Sequence, residues 1–425
     1  MDLSEIAGQV LAYCQGEGMV LGDDLTQVEA LLVEQTRRIG AKAIELHLAG
    51  RKLGYEGSGR ACTCGLVQRF VGHRPKHVAT LLGTVEIRRA YYQCPSCQAS
   101  SFPYDTAVGL GPGPASEGLA KATSLLGLQD PFEPAGRTLH ELTGQRLSES
   151  TVERLSEQVG GVAARHEEEQ ATGMAEWKAP RAEATPERLY VSVDGTMVHQ
   201  SDGWHEAKCV MCYWETPAGR REKRYCVRFA EAAALVPFVW MLACRCGLET
   251  AQQVVLLGDG AEWIWKRVGG LLKEAVCIVD WYHAMEHVWA AGHVLYGQGT
   301  LATKAWVKDY EALLWDGQVR AMLEGLRGER ARLRAANKRA ALDGLITYIE
   351  NQDDRLAYDR FRALGLDIGS GPVESACRHV VGARTKRGGM RWSKAGSQNV
   401  LSLRVARLNG GWNRLWATRP LARAA

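Results

Sequence analysis

Cysteines and carboxylates are the residues in this chain whose spacing could do chemistry. Four of the twelve cysteines fall into two close pairs, Cys62-Thr-Cys64 and Cys94-Pro-Ser-Cys97. Two runs between them, VATLLG and TVEIRRAYYQ, alternate as the strands of a hairpin. Its ends could bring the four thiolates onto one tetrahedral Zn²⁺, which adds folding energy to a region with little core. The first pair is Cys-x-Cys where the usual ribbon has Cys-x-x-Cys, so unligated structural thiols stay open as the alternative. Cys209, Cys212, Cys244 and Cys246 are a second set of close pairs. Cys209 and Cys212 lie at an odd separation on a predicted strand and so face opposite sides, which favours buried free thiols over a second zinc site. A disulfide framework is not expected in a cytosolic chain.

Asp194 and Asp259 each follow an apolar run, LYVSVD and QVVLLGD, and each precedes a glycine. In an open α/β sheet, carboxylates at the carboxyl ends of strands sit where ligands bind. Mg²⁺ prefers oxygen ligands and keeps several waters, so a few carboxylates suffice to hold it. Two such ions about 4 Å apart supply an activated water and a stabilised leaving oxygen for phosphodiester cleavage. A helix cap or a turn is the plain reading of either aspartate alone. His283-Ala-Met-Glu286-His287 fits the H-x-x-E-H pattern of inverted zinc peptidases, but a peptidase leaves both aspartates and the basic run unexplained. That run, RHVVGARTKRGGMRWSK from Arg378 to Lys394, holds six Lys or Arg and no acid. It is either a solvated face or a surface for phosphate.

The elements that must position these residues follow from periodicity. A helical region is expected over 1–54, a zinc ribbon over 55–104 and a helix-turn-helix-like module over 105–165, entered through the linker GLGPGPAS at 109–116. In that module AGRTLHELTG and LSESTVERLSEQVG meet at a turn near Gly144, with Ser148 or Ser150 placed to cap the second helix. A charged linker is expected over 166–188. From Leu189 onward three alternating strands precede strands that alternate with helices, ending in Asp194, Asp259 and Asp280. This is the element order of the ribonuclease H fold, a mixed sheet with helices on both faces. Its two parts, 189–295 and 366–395, flank a helical insertion over 296–365, and one C-terminal helix is expected within 396–425. Pro372 suits the first turn of a helix that carries Glu374.

With these residues in place, a family becomes visible. VDGT around Asp194, LGDGAEWIW around Asp259, DWYH at 280–283, GPVES around Glu374 and TKRGGMRWS behind it resemble the DDE transposases of bacterial insertion sequences. The likeness is to the Mutator-like branch, and nearest to the ISKra group. It implies that Asp194, Asp259 and Glu374 are the catalytic acids and hold two Mg²⁺ or Mn²⁺ ions. The 115 residues from Asp259 to Glu374 accommodate the insertion. The resemblance makes Asp280 and His283 an auxiliary pair beside the active site, although His283 as a structural histidine stays open. With Glu374 at the metal, Arg378, Arg384, Lys386, Arg387, Arg391 and Lys394 are expected on the DNA, and Trp392 either stacks on a base or packs. The partners implied are double-stranded DNA, as terminal inverted repeats and target, and a further copy of the chain in a homodimer or larger oligomer. The insertion is expected to act in assembly rather than at the metal.

Composition agrees with a globular chain, with a hydrophobic fraction of 46% and a charged fraction of 24%. A net charge of +4 says little, since what matters for nucleic acid is where the charge sits. No apolar run reaches the roughly 20 residues of a membrane span, and MDLSEIAGQV lacks the look of a secretory signal. A cytoplasmic, nucleoid-associated bacterial protein is the expectation.

Overall fold

The computed structural model describes residues 2–423 apart from Gly18, Val20, Leu21, Asp23, Gly50, Lys52, Gly109, Pro112, Lys273, Ser370 and Arg419. It comprises two units, Met1–Ala163 with Gly410–Ala425, and Ala164–Asn409. In the first, α1 (Leu3–Gly16) opens with a capping box in which Asp2 and Glu5 each accept the other's backbone N–H. One face of α2 (Leu25–Ala49) sets Ala41, Ile44 and Leu48 over buried Leu53, Val78, Val85 and Ile87. Strands β1 (Gly59–Ala61), β2 (Val67–Thr80), β3 (Gly83–Gln93) and β4 (Ser100–Ser101) form an antiparallel sheet in that order. The hairpin is longer than its alternating runs suggested, because β2 begins at Val67 and pairs through a mostly exposed polar stretch.

Helix α3 (Pro103–Val108) leads into the expected linker, of which Gly109 and Pro112 lie outside the described residues. Ala115 bridges to Ala79, and the Ser116 hydroxyl caps α4 (Glu117–Gly127) by accepting the Leu119 N–H. Helix α5 (Phe132–Thr143) ends on left-handed Gly144, and the Ser148 hydroxyl accepts the Thr151 N–H at the start of α6 (Glu149–Thr172). Residues 166–172 were expected in a linker; they are helical instead. Ala163, Glu167 and Ala171, all buried, carry the covered stripe of α6 through that charged stretch. A 3₁₀ turn, Gly173–Glu176, follows.

The second unit is built on β5 (Arg188–Gln200), β6 (Gly203–Glu215), β7 (Arg221–Arg228), α7 (Ala232–Arg245), β8 (Gln253–Gly258) and β9 (Val276–Val279). The sheet runs β7-β6-β5-β8-β9, with the first three strands antiparallel and β8 and β9 parallel to β5. Val191, Val193, Val255, Leu256 and Leu257 are buried whichever face they point to, which is why these strands read as unbroken apolar runs. Asp194 does not end its strand as expected. β5 continues to Gln200 because its hairpin partner β6 pairs with it throughout, whereas its pairing with β8 stops at Ser192–Leu257.

After β9 come α8 (Trp281–Tyr296), α9 (Leu301–Trp315), α10 (Val319–Arg332), α11 (Ala336–Gln352) and α12 (Tyr358–Ala363). Helix α13 (Gly371–Ala376) passes through a π-helical turn, Cys377–Gly382, into α14 (Ala383–Thr385), and α15 (Lys394–Leu408) follows. The single C-terminal helix expected there is broken at left-handed Gly410, after which α16 (Trp412–Ala417) and α17 (Pro420–Arg423) belong to the first unit. The molecule is thus mixed α/β, with two sheets and many helices. Among the described residues no helix is long and apolar enough to cross a membrane.

Candidate functional site

The parallel pairing of β5 with β8 runs from Arg188–Gln253 to Ser192–Leu257, a constant offset of 65 residues (253 − 188 and 257 − 192). Asp194 lies two residues beyond the last of these pairs on β5, and Asp259 two residues beyond it, directly after β8 ends at Gly258. The Asp194 carboxylate accepts the Gly195 N–H at 2.7 Å and the Asp259 carboxylate accepts the Ala261 N–H at 2.8 Å. Burial holds Asp194 above the usual carboxylate range and the charge of Asp259 adds to the rise, against the pull of the Cys377 thiol, the Gly195 N–H and His283. Gly260 follows at φ +99, a conformation that side chains rarely adopt.

Glu374 stands exposed in the first turn of α13 and lines, with Asp194, an open hollow of about 770 Å³. Gly195, Thr196, Cys377, Arg378, His379 and Lys386 complete much of its wall. The oxygens of Asp194, Asp259 and Glu374 do not all lie within 4.8 Å of one another. Among the described residues no Lys or Arg forms an ion pair with any of the three. Hard oxygen donors, two of them half-buried and none in an ion pair with Lys or Arg among the described residues, fit a divalent cation such as Mg²⁺ or Mn²⁺. Both helical segments that follow these acids contain a π-helical turn, Ile264–Gly269 after Asp259 and Cys377–Gly382 after Glu374. Such turns cluster at functional sites, and nothing in the residue pattern announced them.

Asp280 is fully buried and caps α8, its carboxylate accepting the His283 N–H at 2.8 Å. His283 Nδ1 lies 3.2 Å from Glu286, while the His287 ring stacks on Tyr348 at 3.8 Å. The two histidines of the H-x-x-E-H pattern are thereby engaged with different partners.

The basic run divides. Arg378, Lys386, Arg387, Arg391 and Lys394 are exposed, and the Lys386 ammonium donates to the Thr196 hydroxyl across the hollow. Arg384 and Trp392, expected on DNA, turn inward: Arg384 is 0% exposed, its guanidinium 4.6 Å from the Trp392 ring centroid. Trp392 is held by its indole N–H on the Thr385 carbonyl and by backbone pairing beside Gln200. A cation on an aromatic face buries more readily than a bare charge, which is why these two leave the surface together. Residue reasoning missed Thr196, Cys377, His379 and Tyr348 at this end of the sheet. Only Thr196, inside the VDGT motif, had a signal in the chain.

In the first unit the four thiols converge as expected. Cys62 and Cys97 are 3.5 Å apart, Cys64 and Cys94 are 3.8 Å apart, and all four sulfurs lie within 4.8 Å of one another. A tetrahedron with Zn–S bonds of about 2.3 Å has edges of about 3.8 Å, so the quartet could hold a zinc ion. The Cys64 backbone N–H brings the Cys62 thiol down to about 6, and N–H groups of Cys97 and Ser96 lower Cys94. Left-handed Gly65 and Gln98 close the two loops and make the Cys-x-Cys spacing sufficient. Cys209, Cys212, Cys244 and Cys246 are buried free thiols, and burial raises Cys212 and Cys244.

A family profile described as "Uncharacterised protein family (UPF0236)" matches residues 22–418. The chain is similar to UPF0236 proteins of Caldanaerobacter subterraneus subsp. tengcongensis. One, whose name joins four locus labels, is 23% identical over 414 residues, covering 93% of this chain and 80% of that protein. A second, TTE2489, is 23% identical over 416 residues, with 93% and 81% covered. A third, whose name joins eleven locus labels, is 22% identical over 408 residues, with 92% and 79% covered.

Proposed function

We propose that this chain, which belongs to the UPF0236 family, is a DNA transposase of the DDE type, nearest to the ISKra group of insertion sequences. The observation that carries the reading is that Asp194, on β5, and Asp259, directly after β8, belong to hydrogen-bonded parallel neighbours and are near enough for the charge of Asp259 to act on the Asp194 carboxyl. The sheet order β7-β6-β5-β8-β9, antiparallel then parallel, supports a ribonuclease H-like core, interrupted by the helices between α8 and α13. A protein named for eleven loci of one bacterium supports a mobile gene, since transposition multiplies identical copies.

Asp194, Asp259 and Glu374 would hold two Mg²⁺ or Mn²⁺ ions, which supply an activated water and stabilise charge on the leaving oxygen. Asp194, which is half-buried, would contribute to holding both ions, and Asp259 and Glu374 would each help to hold one. Asp280, as the cap of α8, holds His283 near Asp194. Lys386, Arg378, Arg387, Arg391 and Lys394 orient the phosphate backbone along the hollow. The helix pair α5 and α6 reads terminal repeats in the manner of a helix-turn-helix, aided by the zinc ribbon and the N-terminal helices. Two element ends must meet, so a dimer or larger assembly on DNA follows, in the bacterial cytoplasm.

The test is incubation with DNA carrying candidate element ends and Mg²⁺, with sequencing of cleaved and joined products. Asp194→Asn and Glu374→Gln are expected to lose cleavage by several orders of magnitude while end binding survives. An active Asp194→Asn protein overturns the assignment.

A further inference from the structure

The helical insertion reaches the strand end that carries Asp259. Gln352, on α11, donates its side-chain N–H to the Gly260 carbonyl at 2.8 Å. One turn earlier Tyr348 lies over the same glycine so closely that a Cβ there would meet its Cε2 at 3.0 Å and its hydroxyl at 3.1 Å. The His287 ring of α8 also stacks on Tyr348, at 3.8 Å and 24° between planes. The phenol thus packs against two elements with its hydroxyl at the Asp259-Gly260 turn. That hydroxyl is shielded from solvent and has no hydrogen-bond partner among the described residues. A buried hydroxyl left unbonded is costly, and such groups in native folds generally have a partner in some state of the protein. A group at this turn that could use a neutral donor is the Asp259 carboxylate, of which Oδ1 is already engaged by the Ala261 N–H.

We propose that Tyr348 is a positioning residue for Asp259, its hydroxyl donating to the carboxylate when Asp259 takes up a divalent cation. The inference rests on the reading of Asp194 and Asp259 as metal ligands. A metal-bound carboxylate needs its orientation fixed by an outer hydrogen bond, and removing such a partner typically costs 10- to 100-fold in affinity. A phenol is protonated across the physiological range, so the Tyr348 hydroxyl has a proton to donate. The insertion, expected to serve assembly alone, thereby contributes to the metal site: α11 fixes both the backbone of the Asp259 turn through Gln352 and the carboxylate through Tyr348. A purely structural Tyr348 would fill space over Gly260 with its ring and need no hydroxyl.

Tyr348→Phe keeps the ring, the stack on His287 and the cover over Gly260, and removes only the donor. Mn²⁺ binding to the full-length chain is measured by electron paramagnetic resonance of the bound ion, alongside melting temperature and the Mg²⁺ dependence of DNA-end cleavage. Asp194→Asn and Asp259→Asn serve as references. The expected result is an unchanged melting temperature, Mn²⁺ affinity lower by about tenfold or more, and cleavage recovered at raised Mg²⁺. A folded Tyr348→Phe chain that binds Mn²⁺ as the parent does overturns the positioning role and leaves the metal assignment standing. A parent chain whose Mn²⁺ binding is indifferent to Asp194→Asn and Asp259→Asn overturns the metal assignment, and the role of Tyr348 falls with it.

Discussion

Within the basic run, neighbours two to six positions apart have opposite fates. Lys386 and Arg387 stay exposed beside the hollow, whereas Arg384 and Trp392 are buried against each other. Composition marks the whole segment as one patch of charge, and only the packed structure separates the side chains that could meet phosphate from those that hold the segment down. The two groups should therefore fail differently. Every phosphate that a protein ceases to neutralise reduces the slope of log affinity against log salt by about 0.9. Changing Lys386 and Arg387 together to Ala is expected to flatten that slope by up to about 2 without loss of melting temperature. Trp392→Ala is expected to cost about 3–5 kcal/mol of stability, as large-to-small changes in a core do, with the slope kept in whatever protein remains folded. If the double change leaves the salt slope of binding to duplex DNA as it was, these two side chains do not touch phosphate.

At the scale of elements, the zinc ribbon was the most legible part, because its signal is local. Short spacings bring each pair of thiols together, and one hairpin brings the pairs to each other. The sheet beneath is thin, with Leu53, Val78, Val85 and Ile87 as its buried cluster. A region with so small a core would depend on an ion held by the four thiols, since binding free energy is folding free energy in such a site. Purified chain is expected to carry about one zinc, and Cys94→Ser to lose it along with protection of the β2–β3 amides from hydrogen exchange. Zinc content unaffected by Cys94→Ser would put the ion elsewhere. What the residue pattern did not disclose at this scale has a common cause. The end of β5 depends on which partner is counted, β8 stopping at Ser192 and β6 continuing to Gln200, and ladder partners are far apart in sequence. The charged stretch of α6 read as linker because its one covered polar residue, Glu167, looks like any surface glutamate until Arg228 is set beside it.

For the whole molecule, the place of Asp259 directly after a strand was legible, but the continuation of β5 past Asp194 and its parallel pairing with β8 were not, because both depend on partners brought together only when the sheet is packed. Glu167 shows the same dependence on assembly in energetic form. In the second unit it lies between α6 and the sheet, 2.8 Å from Arg228, which also donates to Ser402 of α15 and to the Ala164 carbonyl. Burial pushes its carboxyl up to about 7, against the attraction of Arg228 and then Arg245, a hydrogen bond with Ser402, and with a small further rise from Glu168. The folded chain therefore holds a proton that the unfolded chain releases near 4.5. Stability from this group is fully present below the unfolded value and is lost as pH rises through the folded one, at up to about 1.4 kcal/mol per pH unit. Chemical denaturation of the parent between pH 4.5 and 7 should show that decline, and Glu167→Gln should remove it, since the amide does not titrate. Arg228→Met takes away the largest attraction, so the window should move upward in pH. At pH 8 the loss should be about 3–5 kcal/mol, the usual cost of leaving a buried charge unpaired. Parent and Glu167→Gln curves that run parallel across the window would mean that Glu167 is ionised throughout, with Arg228 outweighing burial.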